Sequence, residues 1–510
     1  MHWRSRVLAL AVTLVLGISF FGFAQEKTLV VAIEHDIMTL DPGNHRDRET
    51  ETVIRNMFDG LVTRTPDMEI VPELAVSWER PSPNEWVFHL RDGVTWHDGV
   101  PFTADDVKFT IDRTVKEGMI AGQTSPRKGL LGPVTGAEVI DRLTVKIITS
   151  TPWPALISFL PFHEMVPKHY VEEVGDEYFA EHPVGTGPFK FVRWDKGVQV
   201  VMERYEDYYG GSPDIPPVGP AKVDRVIFRI IPETSTRIAA LRAGEVHIAT
   251  RIPVDLIPEI EADPSLQVMA VRGTRSTFIE MNVTKPPFDN VLVRRAMNYA
   301  IDVDKIVELV LAGLATPIPS LLSPDSPFYK PLEPYGYDPE RARALLAEAG
   351  YPDGFELTID CEDYLKDVAV VVAQMLRQVG IDAKVQVWEW GVLKPKLLAH
   401  ERAMWITDWG NGSLDPTGIM HPKLVTGQRG NYSGYSSCLY DGLFEFANNV
   451  TLDPESRKEA FHIAQEVIYY DAPMVFLYVA QEVYGVSRRV VNWRPSPDSR
   501  INLHDVDLMG

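Results

Sequence analysis

The chain has 510 residues and a formal net charge of -21, enough length for two or three domains with proper cores. Its acidity argues against nucleic acid or an anionic membrane as partner, since both attract basic surfaces. A 45% hydrophobic, 24% charged composition is that of an ordinary globular protein, and 39 prolines favour many turns over long bundles.

A targeting segment comes first. Arg4 and Arg6 precede an apolar run over 7–23, and Gly22-Phe23-Ala24 supplies small residues where a signal peptidase reads, so cleavage is expected after Ala24. No cysteine follows that site to take a lipid, and no later run approaches the roughly 20 apolar residues that span a bilayer. A soluble exported protein, periplasmic in location, is the expectation. Export permits Cys361 and Cys438 a disulfide, and two free thiols fit the spacing equally well.

The mature chain alternates strand and helix. Thr28-Leu29-Val30-Val31-Ala32-Ile33 reads as a buried strand, followed by the turn Leu40-Asp41-Pro42. Trp86-Val87-Phe88-His89-Leu90 alternates as a half-buried strand in a hairpin-rich region with turns at Arg91-Asp92-Gly93 and Trp96-His97-Asp98-Gly99. Thr103-Ala104-Asp105-Asp106 has the form of a capping box, which starts a helix through Val107 and Phe109. A strand over 223–231, a helix over 234–242 stopped by Gly244 and a short strand over 246–248 set the α/β rhythm.

Past about Arg275 that rhythm restarts, with a strand over 278–283, a helix capped by Asp289 and another begun by Asp302. Asp338-Pro339-Glu340 gives a cap and a first-turn proline to a helix closed by Gly350. A strand over 355–359, a helix over 367–378 and a strand over 383–390 follow, and the chain later offers a helix over 454–469 and a strand over 474–479.

Between them lies Ala403-Met404-Trp405-Ile406-Thr407-Asp408-Trp409-Gly410-Asn411-Gly412-Ser413-Leu414-Asp415-Pro416, an apolar strand-like run that turns abruptly polar. If Trp405 and Trp409 shield Asp408, the carboxylate needs a cationic or hydrogen-bonding partner, because a buried unpaired charge is expensive; a ligand ammonium is one such partner. The other reading makes Asp408 a solvated turn residue, with Asp415-Pro416 a turn or helix start. Trp388 and Trp390 share one face of the expected strand, and with Trp405 and Trp409 they suit either a small-molecule cleft or an aromatic core.

Signals for catalysis fail. Gly185-Thr186-Gly187 begins like a dinucleotide loop, but Pro188 lacks the amide proton such a loop aims at phosphate and Lys190 stands in place of the third glycine. His163, Glu164 and His169 miss the zinc spacing, and Pro167 breaks the helix that pattern requires. There is no glycine-flanked nucleophilic serine and no phosphate-binding loop, and scattered carboxylates offer no means of choosing a glycosidase pair. The chain is therefore expected to be no enzyme and to carry no cofactor or metal.

Leu40-Asp41-Pro42, Phe58-Asp59-Gly60-Leu61, Pro72-Glu73-Leu74-Ala75 with Trp78, and Phe88-x-Leu90-Arg91-x-Gly93-Val94-x-Trp96-x-Asp98-Gly99 form a series of blocks. Phe102-Thr103-Ala104-Asp105-Asp106-Val107, Val184-Gly185-Thr186-Gly187-Pro188-Phe189, the run from Val293 to Asp302 and Tyr337-Asp338-Pro339 continue it. In residues and order the series resembles family 5 of the ABC transporter solute-binding proteins, the dipeptide, oligopeptide and nickel binders. The resemblance implies an α/β, two-lobed periplasmic-binding-protein fold with the ligand cleft between the lobes. Lobe I would comprise 25–75 and 184–275 with an inserted subdomain at 76–183, lobe II 276–481, and 482–510 would return to lobe I.

It also implies a monomer that closes on short peptides and hands them to a membrane permease whose ATPase is a separate chain. Peptide-binding members hold the ligand's α-ammonium with the aspartate of a Trp-x-x-Asp motif, which Trp405-x-x-Asp408 matches. Where dipeptide-type members place an arginine for the ligand carboxylate, this chain has Lys366 or Asp367, and a lysine pairs without the bidentate fork. Met404 also replaces the glycine common before the tryptophan. The expected ligand-binding set is Asp408, Trp405, Trp409, Trp390, Asn411 and Lys366. An oligosaccharide stacked on the tryptophans is the alternative ligand, ahead of nickel or a metal chelate and of a secreted hydrolase activity.

Overall fold

The computed structural model describes residues 26–215 and 218–509, so the expected signal peptide lies outside the described residues. Among those described, a mixed sheet of 11 strands runs in the order Asp382–Val387, Glu356–Cys361, Met404–Gly410, Leu266–Met281, Met474–Ser487, Ile248–Ala249, Thr28–Ile33, Arg225–Ile230, Gln199–Arg204 and Phe189–Asp195. Ala315–Pro317 pairs with Met474–Ser487 off that path.

Two of these strands are long enough to serve both halves of the molecule. Leu266 through Arg272 pairs antiparallel with Gln481 through Ser487, and Ser276 through Glu280 pairs with Met474 through Val479, with a register break between the two ladders. A break of this kind bends and twists a strand pair. On one side of it the core contains Leu29, Val31, Phe228, Tyr484 and Val486; on the other it contains Ile279, Met281, Ile359, Met404 and Val475. Two lobes thus share two crossing strands. A separate apolar cluster, including Phe88, Trp96, Val107 and Ile147, joins helix Ala104–Val115 to a four-stranded sheet of Ala75–Ser82, Glu85–Leu90, Thr144–Thr149 and Val134–Asp141.

Local chemistry sets many element ends. Thr103 and Asp106 exchange the two capping-box bonds at the start of Ala104–Val115. Asp338 accepts from Arg341 N–H at 2.9 Å to cap Pro339–Glu348, and Asp302 accepts from Lys305 N–H at 2.9 Å to cap Val303–Leu311. Helix Val291–Ala300 is capped by Asn290 instead of Asp289, because the Asn290 amide oxygen is the one that accepts from Leu292 N–H, at 2.9 Å.

Elsewhere long-range packing decides. The strands expected over 278–283 and 474–479 are the second-lobe halves of the two crossings, whose polar Arg272, Gln481 and Glu482 conceal the continuity. The strand expected over 383–390 ends at Val387, and Trp390 opens helix Trp390–Leu398, so Trp388 and Trp390 do not share a strand face.

The glycine-rich turn is structural. Gly187 N–H donates to Met57 O at 2.9 Å, and Thr186 Oγ1 accepts from Asp59 N–H at 3.2 Å. His163 is buried with Nδ1 3.1 Å from Phe159 O, and buried Glu164 pairs with Arg55 at 3.4 Å. Among the described residues no three His, Cys, Asp or Glu side chains converge as a metal site, and no helix is long and apolar enough to cross a membrane. Cys361 is buried and Cys438 exposed, both as free thiols.

A Cβ at Gly185 would sit 1.9 Å from Met57 O, a backbone atom that cannot step aside. Gly185→Ala should therefore cost about 3 kcal/mol, read as a lower urea midpoint at unchanged m-value. Gly442→Ala, in the open face of helix Cys438–Glu445 where no atom lies within 4 Å, should instead gain about 0.5–1 kcal/mol.

Candidate functional site: the cleft between the lobes

Strand Met404–Gly410 pairs antiparallel with Leu266–Met281 and parallel with Glu356–Cys361, which makes it central in the second lobe. Side chains alternate along it. Met404 and Ile406 enter the main core, Trp405 points the other way, and the strand end delivers Asp408, Trp409 and Gly410 into a cavity of about 780 Å³. The facing wall is made by Arg46, Asp47, Arg48, Glu49 and Glu51 of the first lobe and by Trp153, Phe159 and Phe162 of the inserted region. A second cavity of about 470 Å³ shares Arg48, Glu49, Arg251, Arg275 and Asp408 with the first. At one edge Arg64 Nη2 donates to Ser413 O at 2.9 Å and joins the two walls.

Asp408 is already partnered. Arg275 Nη1 lies 2.5 Å from its Oδ1, and the Tyr364 hydroxyl donates to Oδ2 at 3.2 Å. Burial, followed by the Asp408 charge, raises the Tyr364 hydroxyl above its ordinary range, so it remains a donor. The Asp408 side chain is 12% exposed and that of Arg275 52%, so the arginine reaches the carboxylate from the solvent side.

Three of the six expected residues face the cavity, namely Asp408, Trp409 and Asn411. Trp409 Nε1 donates to Gly418 O at 2.9 Å, and its ring lies 5.3 Å from Lys423 Nζ and 5.1 Å from the Arg429 guanidinium. Asn411 is buried, its N–H donating to Thr274 O at 2.9 Å and its Oδ1 accepting from Ser413 Oγ at 2.8 Å.

The other three lie elsewhere. Trp405 is 1% exposed and packs with Leu393, Leu397 and Tyr432, because strand alternation turns it to the face opposite Asp408. Trp390 sits against the same cluster, 6.2 Å from the Tyr432 ring, since the chain has turned into a helix by that point. Lys366 begins helix Lys366–Arg377 on an exposed surface and lines neither cavity. Asp415 caps the turn Pro416–Gly418 and forms a buried pair with Arg457 at 2.9 Å.

Sequence reasoning missed the arginines. Arg46, Arg48, Arg127, Arg251, Arg275 and Arg429 all line the main cavity. The available signal was Arg46-Asp47-Arg48, a basic pair at the start of helix Arg48–Ile54 in a strongly acidic chain. Glu51 anchors part of this set, 3.0 Å from Arg127 and 2.5 Å from Arg500; burial would raise its carboxyl, but the two guanidinium groups hold it well below the usual carboxylate range. His45 Nε2 lies 2.6 Å from Arg127 Nη1 and its Nδ1 3.1 Å from Asp47 O, an arrangement that requires a neutral ring accepting from the arginine.

A cavity bounded by two lobes that share two strands, with charged groups supplied from both sides, is the geometry of a small-solute-binding protein. The chain belongs to the bacterial extracellular solute-binding proteins, family 5, whose model matches residues 69–431. Proteins of this family are extracytoplasmic, non-enzymatic components that work with ABC permease and ATPase subunits.

The chain is 30% identical over 498 residues to the glutathione-binding protein GsiB of Pectobacterium atrosepticum, with 94% of each chain covered. In fold it matches HbpA2 from Haemophilus parasuis with a TM-score of 0.86 at 26% identity, covering 95% of this chain and 100% of that one. The periplasmic binding protein DppA from Helicobacter pylori, in complex with the peptide STSA, matches with a TM-score of 0.78 at 28% identity, covering 95% and 99%.

Burial first, and Arg127 second, push His45 down from 6.5 to about 3. The unfolded ring takes up a proton before the folded one does, so the stability carried by neutral His45 is complete above pH 6.5 and lost as pH falls toward 3. Urea melts between pH 7 and 4.5 should show this as a slope of up to about 1.4 kcal/mol per pH unit for each such ring. His45→Gln, which still offers Arg127 an acceptor, should flatten that slope measurably.

Proposed function

We propose that this protein captures short peptides with a free amino terminus in the inter-lobe cleft and delivers them to a membrane permease driven by a separate ATPase chain. The observation that carries the reading is Asp408, a largely shielded carboxylate at a strand end where the two cavities meet, partnered by an arginine that remains half exposed. A ligand ammonium joins or displaces Arg275 there, and Trp409 and Asn411 line the wall beside it. Backbone hydrogen bonds to an extended peptide then supply affinity that does not depend on side-chain identity. The GsiB relative named for glutathione and the DppA neighbour holding a peptide support this choice of ligand.

The same reading makes the chain a monomer exported to the periplasm after loss of residues 1–24, with the crossings between lobes near 276 and 482. Sugar binding has lost its main support, since Trp405 and Trp390 lie off the cavity and six arginines line it.

Thermal-shift titration of the mature protein with tri- and tetrapeptides should stabilise it by about 2.7 kcal/mol at a hundredfold excess over Kd. Asp408→Asn should weaken free-amine peptides about 10- to 100-fold, as expected for loss of a charge-assisted bond, and leave N-acetylated peptides unchanged. Stabilisation by cello- or xylo-oligosaccharides with no response to any peptide would defeat the proposal.

A further inference from the structure

The cavity is basic although the protein is acidic. Its carboxylates are largely committed: Glu49 to Arg251 at 2.6 Å, Glu51 to Arg127 at 3.0 Å, and Asp408 to Arg275 at 2.5 Å. Asp47 accepts from Thr50 N–H at 2.8 Å as the cap of helix Arg48–Ile54. This leaves Arg46, Arg48 and Arg429, none of which has a carboxylate oxygen within 4.0 Å among the described residues.

Each is free in its own way. Arg46 donates from Nη1 to Pro126 O at 3.2 Å. Arg48 Nη1 is buried without a hydrogen-bond partner. Arg429 rests over the Trp409 ring at 5.1 Å, and both residues line the cavity.

Arg46 and Arg48 belong to the first-lobe wall and Arg429 to the second. Although Arg46 is exposed as a residue, partial shielding of its guanidinium, then repulsion from Arg429 and Arg127, pushes it down to about 10. A Cβ at Gly410 would lie 3.4 Å from Arg275 Nη2 and 3.9 Å from Arg48 Nη2, which brings Arg48 beside the end of the Asp408 strand. Guanidinium groups so arranged repel until an anion enters, and their planar forks suit a carboxylate.

We infer that the cleft selects peptides bearing at least two carboxylates, one of them clasped between Arg46 of the first lobe and Arg429 of the second, with Arg48 serving the other. This rests on the peptide reading above and adds the ligand's charge class. The clasped carboxylate converts repulsion between the lobes into attraction, so an acidic ligand favours closure more than a neutral one of equal size.

Calorimetric titration of the mature chain with Ala-Glu-Ala and Ala-Gln-Ala, peptides of nearly equal shape, tests the inference. The glutamate peptide should bind at least tenfold tighter, and that advantage should shrink to less than threefold in Arg46→Gln and in Arg429→Gln. Both side chains are exposed, and unchanged melts of the unliganded variants would show intact folding. Equal affinity for the two peptides, or a preference that survives both substitutions, would overturn the inference and leave peptide binding standing. If neither peptide binds but tricarballylate does, and loses affinity in both variants, the arginine clasp holds and the peptide reading falls. No binding by any of the three overturns both.

Discussion

The interaction on which the rest depends is the ladder between Leu266–Met281 and Met474–Ser487, and above all the place where it breaks. Both strands run between the two main cores, and their pairing breaks between Arg272 and Ser276. Gly273 lies in this break, where a Cβ would come 3.0 Å from Ala480 O. Arg275 emerges from the same break and reaches Asp408 on the neighbouring strand. The arginine beside the break and the carboxylate lining the cleft are therefore a single ion pair.

Much of this architecture was legible from short-range chemistry. Thr103 with Asp106, Asp302, and Asp338 with Pro339 satisfy helix-end amides a few residues away, so their sequences alone specify the structures they form. Asp408 and Asn411 announced themselves by following an apolar run, the mark of a strand that ends in a polar place. Trp405 shows the limit of that logic. The motif that singles out Asp408 contains it, but three residues along a strand reverse the face, and it lies in the core behind the wall. Trp390 was misplaced because an apolar run does not reveal where strand becomes helix.

The arginines were illegible for a different reason. Residues 46, 48, 127, 275 and 429 converge only after two lobes and an inserted region have folded against one another, and no spacing in the chain records that. Nor did composition help, since a net charge of -21 gives no sign of a basic cavity. An acidic exterior around a basic cavity is physically coherent. The low-dielectric walls concentrate the positive potential inside, while the exterior keeps the protein soluble and away from anionic surfaces.

Within the cavity the arginines divide by what they are bound to. Arg127 is held by Glu51, by the carbonyl of Phe162 and by neutral His45; Arg500, behind it, is held by Glu51 and Asp498. Such buried pairs add little net stability, because desolvation cancels most of the attraction, but they fix geometry. Arg46, Arg48 and Arg429 stand in front of that scaffold without carboxylates of their own. Had they been paired internally, a ligand anion would have had to break those pairs first. Left unpaired on opposite walls, they impose the cost of like-charge repulsion on the empty cleft, and that cost is what an acidic ligand removes on entering.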